Sequence, residues 1–167
     1  MNEKYDIAIA YRIYPKISKI PAYFSKDKLK LAELCLFSFK DALAGLKYRV
    51  YVLMDSCPSE YKFLFEKYFN ISDIEIVEVS NAGNPLTFKM QLDWLVNQSY
   101  SKNVYFAEDD YFFLGNAFSE ALDFLNSKYK PDFVTMYDHL DYYTSHLHNY
   151  KVKLVLHRNR MWRKVAS

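Results

Sequence analysis

A chain of 167 residues is long enough for one domain with a substantial core and too short for two ordinary ones. Its 51% hydrophobic and 25% charged residues argue against disorder, and no apolar run approaches the ~20 residues that span a bilayer. The formal charge of +2 is uneven: six of the 22 bases (Lys151, Lys153, Arg158, Arg160, Arg163, Lys164) lie in residues 151–167, leaving 16 against 20 acids before them. A basic tail of this kind suits a phosphate-bearing partner or an anionic membrane surface, and equally a solvated terminal segment.

In chain order, Ile7-Ala8-Ile9-Ala10-Tyr11 reads as a buried first strand, entered directly from an N-terminus without a signal-peptide layout. Leu29, Ala32, Leu36, Phe39, Leu43 and Leu46 recur at three and four, so a helix is expected between Asp27 as N-cap and Gly45. Tyr48 to Met54 is the second strand, and Tyr61, Leu64, Phe65 and Tyr68 mark a second helix. Ile74–Val79 is the third strand, followed by the loop Ser80–Pro85. A third helix is expected from about Thr87, with Phe88, Gln91, Leu92, Leu95 and Val96 inward. Asn103–Ala107 is strand four, Phe118, Ala121, Leu122 and Leu125 define a further helix, Asp132–Tyr137 is strand five and Lys151–His157 a candidate sixth. Alternation at this density predicts one α/β domain over residues 1–167, a three-layer α/β/α sandwich around a mainly parallel sheet.

The 16 Tyr and 13 Phe against 3 Gly are read mainly as core packing. Cys35 and Cys57 match no zinc or redox spacing, so a reduced, cytoplasmic compartment is expected. The chemistry-bearing residues fall at the carboxyl ends of strands, where open α/β sheets bind ligands. They are Tyr11, Arg12 and Tyr14 after strand one, Asp55 after strand two, Asn81–Asn84 after strand three and Glu108-Asp109-Asp110 after strand four. Three adjacent carboxylates repel one another unless donors or a cation compensate them. Oxygen ligands of this kind suit Mg²⁺ or Mn²⁺, with Asp110 as direct ligand and Asp109 or Glu108 assisting. An acidic turn that merely caps the next element accounts for the same triplet.

The order of Leu53-Met54-Asp55-Ser56, Asn81-Ala82-Gly83-Asn84 and Tyr105-Phe106-Ala107-Glu108-Asp109-Asp110 resembles the donor-binding half of the GT-A glycosyltransferases over residues 5–138. The resemblance implies a Rossmann-like GT-A fold and a nucleoside-diphosphate-sugar donor. It places Asp55 on the base or ribose, Asp110 on the metal and Asp109 or Glu108 in support. The triplet departs from a strict DxD motif in beginning with Glu. Tyr11, Arg12 and Tyr14 would lie where the base is received, with a Tyr face able to stack on it. Asn84 belongs to the loop that leads into the donor helix, and Lys89, a cation in that helix's first turn, is a candidate for phosphate or sugar hydroxyls.

The chemistry implied is metal-assisted transfer of a sugar to a glycan or lipid-linked acceptor hydroxyl. An inverting enzyme also needs a base, for which Asp138 is the candidate, with His139 beside it. His146, His148 and His157 have no ligand spacing that supports a second metal. With 57 residues after Asp110, the acceptor portion is expected to be truncated or minimal. No nucleic-acid partner is expected, while peripheral contact with the inner membrane face is compatible with the tail. The alternatives are a sugar nucleotidyltransferase, which needs a glycine-rich loop where this chain has Arg12-Ile13-Tyr14-Pro15, and a noncatalytic nucleotide- or polyanion-binding module.

Overall fold

The computed structural model describes residues 4–17, 21–146 and 153–165. Strands β1 (Ile7–Ile13), β2 (Tyr48–Asp55), β3 (Ile74–Val79) and β4 (Val104–Glu108) form one sheet in the order β3-β2-β1-β4, with every pairing parallel. Parallel neighbours require crossovers, and helices supply them: α1 (Lys28–Ala42), α2 (Ser59–Tyr68) and α3 (Gly83–Asn97). The protein is therefore α/β, built around a four-stranded all-parallel sheet. Among the described residues no helix is long and apolar enough to cross a membrane.

Local chemistry accounts for the boundaries. Asp27 caps α1 by accepting from the Lys30 amide at 3.1 Å, and Gly45 (φ +79°) takes the left-handed backbone that turns the chain toward β2. Central strands β1 and β2 are buried almost throughout, as continuous apolar runs in parallel sheets should be. Alternation sends Ala10 and Tyr51 toward α3, where they cluster with Leu53 and Leu95 and where Trp94 stacks on Tyr51 at 5.0 Å. Tyr11, one residue on, lies instead against Phe39 of α1 and Phe65 of α2, with ring centroids 5.1 and 5.3 Å away.

α3 departs from expectation in two ways. It begins at Gly83, before Thr87, and its buried residues are Thr87, Gln91 and Leu95. Phe88, Leu92 and Val96, expected inward, are 50%, 43% and 72% exposed. The helix therefore buries only part of the expected face: Leu95 lies inward as expected, and so does Gln91. Its Nε2 donates to the Ala10 and Ala107 carbonyls at 2.9 and 3.2 Å, tying α3 to adjacent strands. Hydrogen bonding to buried carbonyls has overridden hydrophobic pattern.

The chain divides into two compact units, residues 1–119 and 120–167. Helix α4 (Ala117–Leu125) carries the chain from one to the other. In the second unit, Asp132–Tyr137 is not a strand, which corrects the expectation for strand five. Phe133 is 59% and Tyr137 50% exposed, so the segment lacks the two-sided burial that a parallel strand needs. A short helix, α5, follows at Asp141–Thr144.

The candidate sixth strand is real from Lys153, but it joins no parallel sheet: β5 (Lys153–His157) pairs antiparallel with β6 (Arg160–Lys164). Lys151 and His148 lie outside the described residues. The hairpin is anchored to α4 by Trp162, which stacks on Phe124 at 4.3 Å, and by His157 and Arg158, each 2.6 Å from the Asp123 carboxylate. Arg160 adds an ion pair to Glu120.

Candidate functional site

The strand order puts a topological switch point between β1 and β4, the place where open α/β sheets generally bind ligands: the chain leaves β1 toward β2 on one side, while β4 flanks β1 on the other. The register of these paired strands places Arg12 beside Glu108.

Arg12 is the hub. Its guanidinium grips Glu108 in a two-point fork, Nε to Oε2 at 3.0 Å and Nη2 to Oε1 at 2.7 Å. Nη1 also donates to the Asn84 carbonyl and the Thr87 hydroxyl, each at 3.1 Å, and to the Asn84 side-chain oxygen. One arginine therefore joins β1, β4 and the first turn of α3. Burial lifts the Glu108 carboxyl above its ordinary range, and Arg12 counters that only in part.

Asp109 faces the other way, as alternation requires. Its Oδ1 lies 2.9 Å from Lys28 Nζ, and its Oδ2 accepts from the Tyr14 amide at 3.1 Å. Both members of the ion pair are nearly buried, with side-chain exposures of 9% for Lys28 and 12% for Asp109. Burial raises the Asp109 carboxyl, while Lys28 and the Tyr14 amide pull it down less far. The repulsion in the acidic triplet is therefore relieved chiefly by two protein cations. Asp110 is exposed and makes no hydrogen bond or ion pair among the described residues.

Asp55 sits at the end of β2 and is 4% exposed. Its Oδ2 accepts from the Gly83 amide at 2.8 Å, and Oδ1 from the Ala82 amide at 3.2 Å and the Ser56 hydroxyl at 3.0 Å. The two amides lie at the start of α3, so Asp55 compensates the helix N-terminus from a neighbouring strand. Burial opposes its ionisation, yet the Gly83 amide, Ser56 hydroxyl and Ala82 amide outweigh burial and hold the carboxyl below its usual range. Gly83 adopts φ +74°, which a residue with a Cβ takes only under strain.

The structure thus brings together Arg12, Asn84 and Glu108 as one network, and the Tyr14 backbone with Asp109 as another. The surroundings of the other candidates are as follows. Tyr11 is fully buried, with its ring between Phe39 and Phe65, so it has no face for a base. Its hydroxyl has no hydrogen-bond partner among the described residues, and burial drives its pKa well above the ordinary value. Tyr14 contributes its amide, while its side chain is 42% exposed with Lys16 5.9 Å from the ring centre. Lys89 pairs with Asp93 one turn along α3 and takes no part in either network. Asp109, expected as a metal ligand, has both oxygens engaged by Lys28 and Tyr14. Asp138 belongs to the second unit and accepts from the Tyr143 hydroxyl.

Lys28 and Thr87 are not singled out by sequence, and Gln91 is expected inward on the third helix but is given no role there. A signal existed for Lys28: it opens α1, whose first turn has no acid, and a cation there opposes the helix dipole. The same mismatch drew attention to Lys89, where the partner proved to be a local Asp. Thr87 and Gln91 carry no comparable mark.

Among the described residues no three His, Cys, Asp or Glu side chains are grouped to hold a metal. The donor set does fit a hard cation that takes one carboxylate, from Asp110, and fills its other positions with water and a ligand's phosphate oxygens. No protein-family model matches the chain, and no curated protein matches it in sequence.

Proposed function

We propose that the switch point at the ends of β1 and β4 receives the diphosphate of a nucleoside-diphosphate sugar, and that the chain is the donor-binding portion of a GT-A-type glycosyltransferase with α/β/α layering. The observation that carries the reading is the convergence, at that end of the sheet, of Arg12, Glu108 and the start of α3, next to an exposed Asp110 that is unpaired among the described residues. Placement of Tyr51 against Trp94 on α3, and of Tyr11 against α1 and α2, supports the layering.

On this reading Asp110 would hold a Mg²⁺ or Mn²⁺ ion, whose charge would supply Lewis-acid stabilisation of a leaving diphosphate. Glu108 and Asp109 act indirectly: Glu108 orients Arg12 toward the α3 turn, and Asp109 ties Lys28 and the β1–α1 loop to the end of β4. Asp55 fixes the loop that carries Asn84, a positioning role instead of direct contact with the base. The acceptor is a glycan or lipid-linked hydroxyl, met in the cytoplasm or at the inner membrane face. The polyanion-binding alternative draws less support, since Arg158 and Arg160 of the basic hairpin are engaged by Asp123 and Glu120.

Calorimetry with UDP- and GDP-sugars, with and without Mn²⁺, tests the proposal. The expected result is metal-dependent binding that Asp110→Ala abolishes while the circular dichroism spectrum is unchanged. Equal affinity with and without Mn²⁺, or full binding by Asp110→Ala, would overturn it.

A further inference from the structure

Strand β4 is an edge of the sheet: among the described residues it pairs with β1 alone. An open edge is a row of unpaired amides and carbonyls, and proteins ordinarily guard it with charge, proline or a bulge. The opposite edge, β3, is guarded in this way. Glu75 and Glu78 project from it, with side chains 44% and 62% exposed, and pair with Arg49 and Lys62. β4 reads Val104-Tyr105-Phe106-Ala107-Glu108, in continuous register with β1 and without lysine or proline. Its one charge, Glu108, is held by Arg12.

Helix α3 extends this edge into a ledge. Phe88, Leu92 and Val96 recur every fourth residue, so they share one side of the helix, and all three are exposed. Phe88 stacks on Phe106 of β4 with ring centroids 5.5 Å apart, which sets that side of α3 along the β4 edge. Val104 is exposed too, and alternation puts it on the same face of the strand as Phe106. The two parts match in length. Eight residues of helix at ~1.5 Å span about 12 Å, and four strand steps at ~3.3 Å span about 13 Å.

We infer that this ledge is the contact between two copies of the chain, with β4 pairing antiparallel to β4 of the second copy about a two-fold axis and α3 lying beside its counterpart. A two-fold axis normal to the sheet reverses the strand, so the four-stranded sheet continues into the second copy and the open edge is closed. The surface suits a meeting with itself. Its rim carries Lys89 and Asp93, one cation and one anion, so two copies approach without net charge repulsion.

The area is sufficient. The exposed parts of Phe88, Leu92, Val96 and Val104 come to roughly 350 Å² of apolar surface per copy, or about 700 Å² in the pair. At the ~60% apolar share of ordinary interfaces this corresponds to about 1,200 Å² in total, the lower bound for a specific, stable contact. A dissociation constant in the micromolar range is expected. The inference is independent of the proposed sugar-nucleotide binding.

Sedimentation velocity and light scattering on the intact chain between about 1 and 200 µM test it, with circular dichroism and thermal melts as fold controls. The mass should rise with concentration to twice 19.9 kDa. Leu92→Lys/Val96→Lys, which sets like charges against each other across the axis, and Val104→Lys should each raise the dissociation constant at least tenfold. If Val104→Lys melts early, the α3 pair of substitutions decides the result. Ile71→Lys, at a 78% exposed position outside the ledge, should leave the dimer intact. A monomer throughout the range, a dimer unchanged by the ledge variants, or one dissolved equally by Ile71→Lys would overturn the inference.

Discussion

Replacing Lys28 by Met tests the assignment of Lys28 as the counter-charge of Asp109. At an effective dielectric of about 20, charges 3–4 Å apart attract by roughly 4–6 kcal/mol, and desolvation of two nearly buried ions cancels much of it. Removing one partner leaves the other charged, buried and uncompensated, which typically costs about 3–5 kcal/mol. The Tyr14 amide still serves Asp109, so the lower end is expected: about 3 kcal/mol, or about 1.5 M in the urea midpoint for a slope near 2 kcal/mol per M.

The double variant Lys28→Met/Asp109→Asn should be more stable than Lys28→Met alone, since no charge remains to strand, and the coupling should be about 1–3 kcal/mol. The pH dependence has a definite sign. Because the Asp109 carboxyl is raised in the folded state, the native protein binds the proton more tightly than the unfolded chain. The penalty is absent below the unfolded value of about 4, and stability falls as pH rises toward the folded value. Without Lys28 that window extends to higher pH. A Lys28→Met cost under about 0.5 kcal/mol, typical of an exposed lysine, or strict additivity in the double variant would refute the assignment.

Tyr11→Phe should be neutral or stabilising by up to about 1 kcal/mol, since it deletes a buried hydroxyl without a partner; a scanning melt that drops by several degrees would contradict this. Arg12→Ala should destabilise by about 2–3 kcal/mol in urea titrations, and Arg12→Lys should rescue little, because an ammonium cannot reproduce the fork on Glu108. Asp55→Ala should cost about 1–2 kcal/mol by removing the acceptor at the start of α3. Because the Asp55 carboxyl is depressed, its contribution is present above the unfolded value of about 4 and lost as pH falls through the folded value. The deficit of Asp55→Ala should therefore shrink in acid, as a pH series of urea midpoints would record.

Much of the first unit was legible in sequence because its signals are local. Ile74–Val79 has the expected strand bounds, Asp27 caps α1 as its position before a three-four repeat implied, and the candidate polar clusters do lie at strand ends. The errors share a cause: each concerns a side chain whose surroundings come from remote segments. Tyr11 is expected to offer a ring face to a base, yet the odd-numbered face of β1 is roofed by Phe39 and Phe65. The inner face expected for α3 keeps Gln91 and Leu95 but loses Phe88, Leu92 and Val96, because the helix sits where Gln91 reaches two strand carbonyls. Asp132–Tyr137 has strand-forming residues without the neighbours that would bury them.

Periodicity, capping residues and composition were sufficient for the order and kind of elements in the first unit and for the gathering of polar groups at one end of the sheet, because these depend on residues a few positions apart. Only the tertiary structure decided that Arg12 meets Glu108 across 96 residues, that Lys28 answers Asp109, and that Asp110 is unpaired among the described residues. Charge pairing follows strand order and register, and those are settled when the sheet assembles.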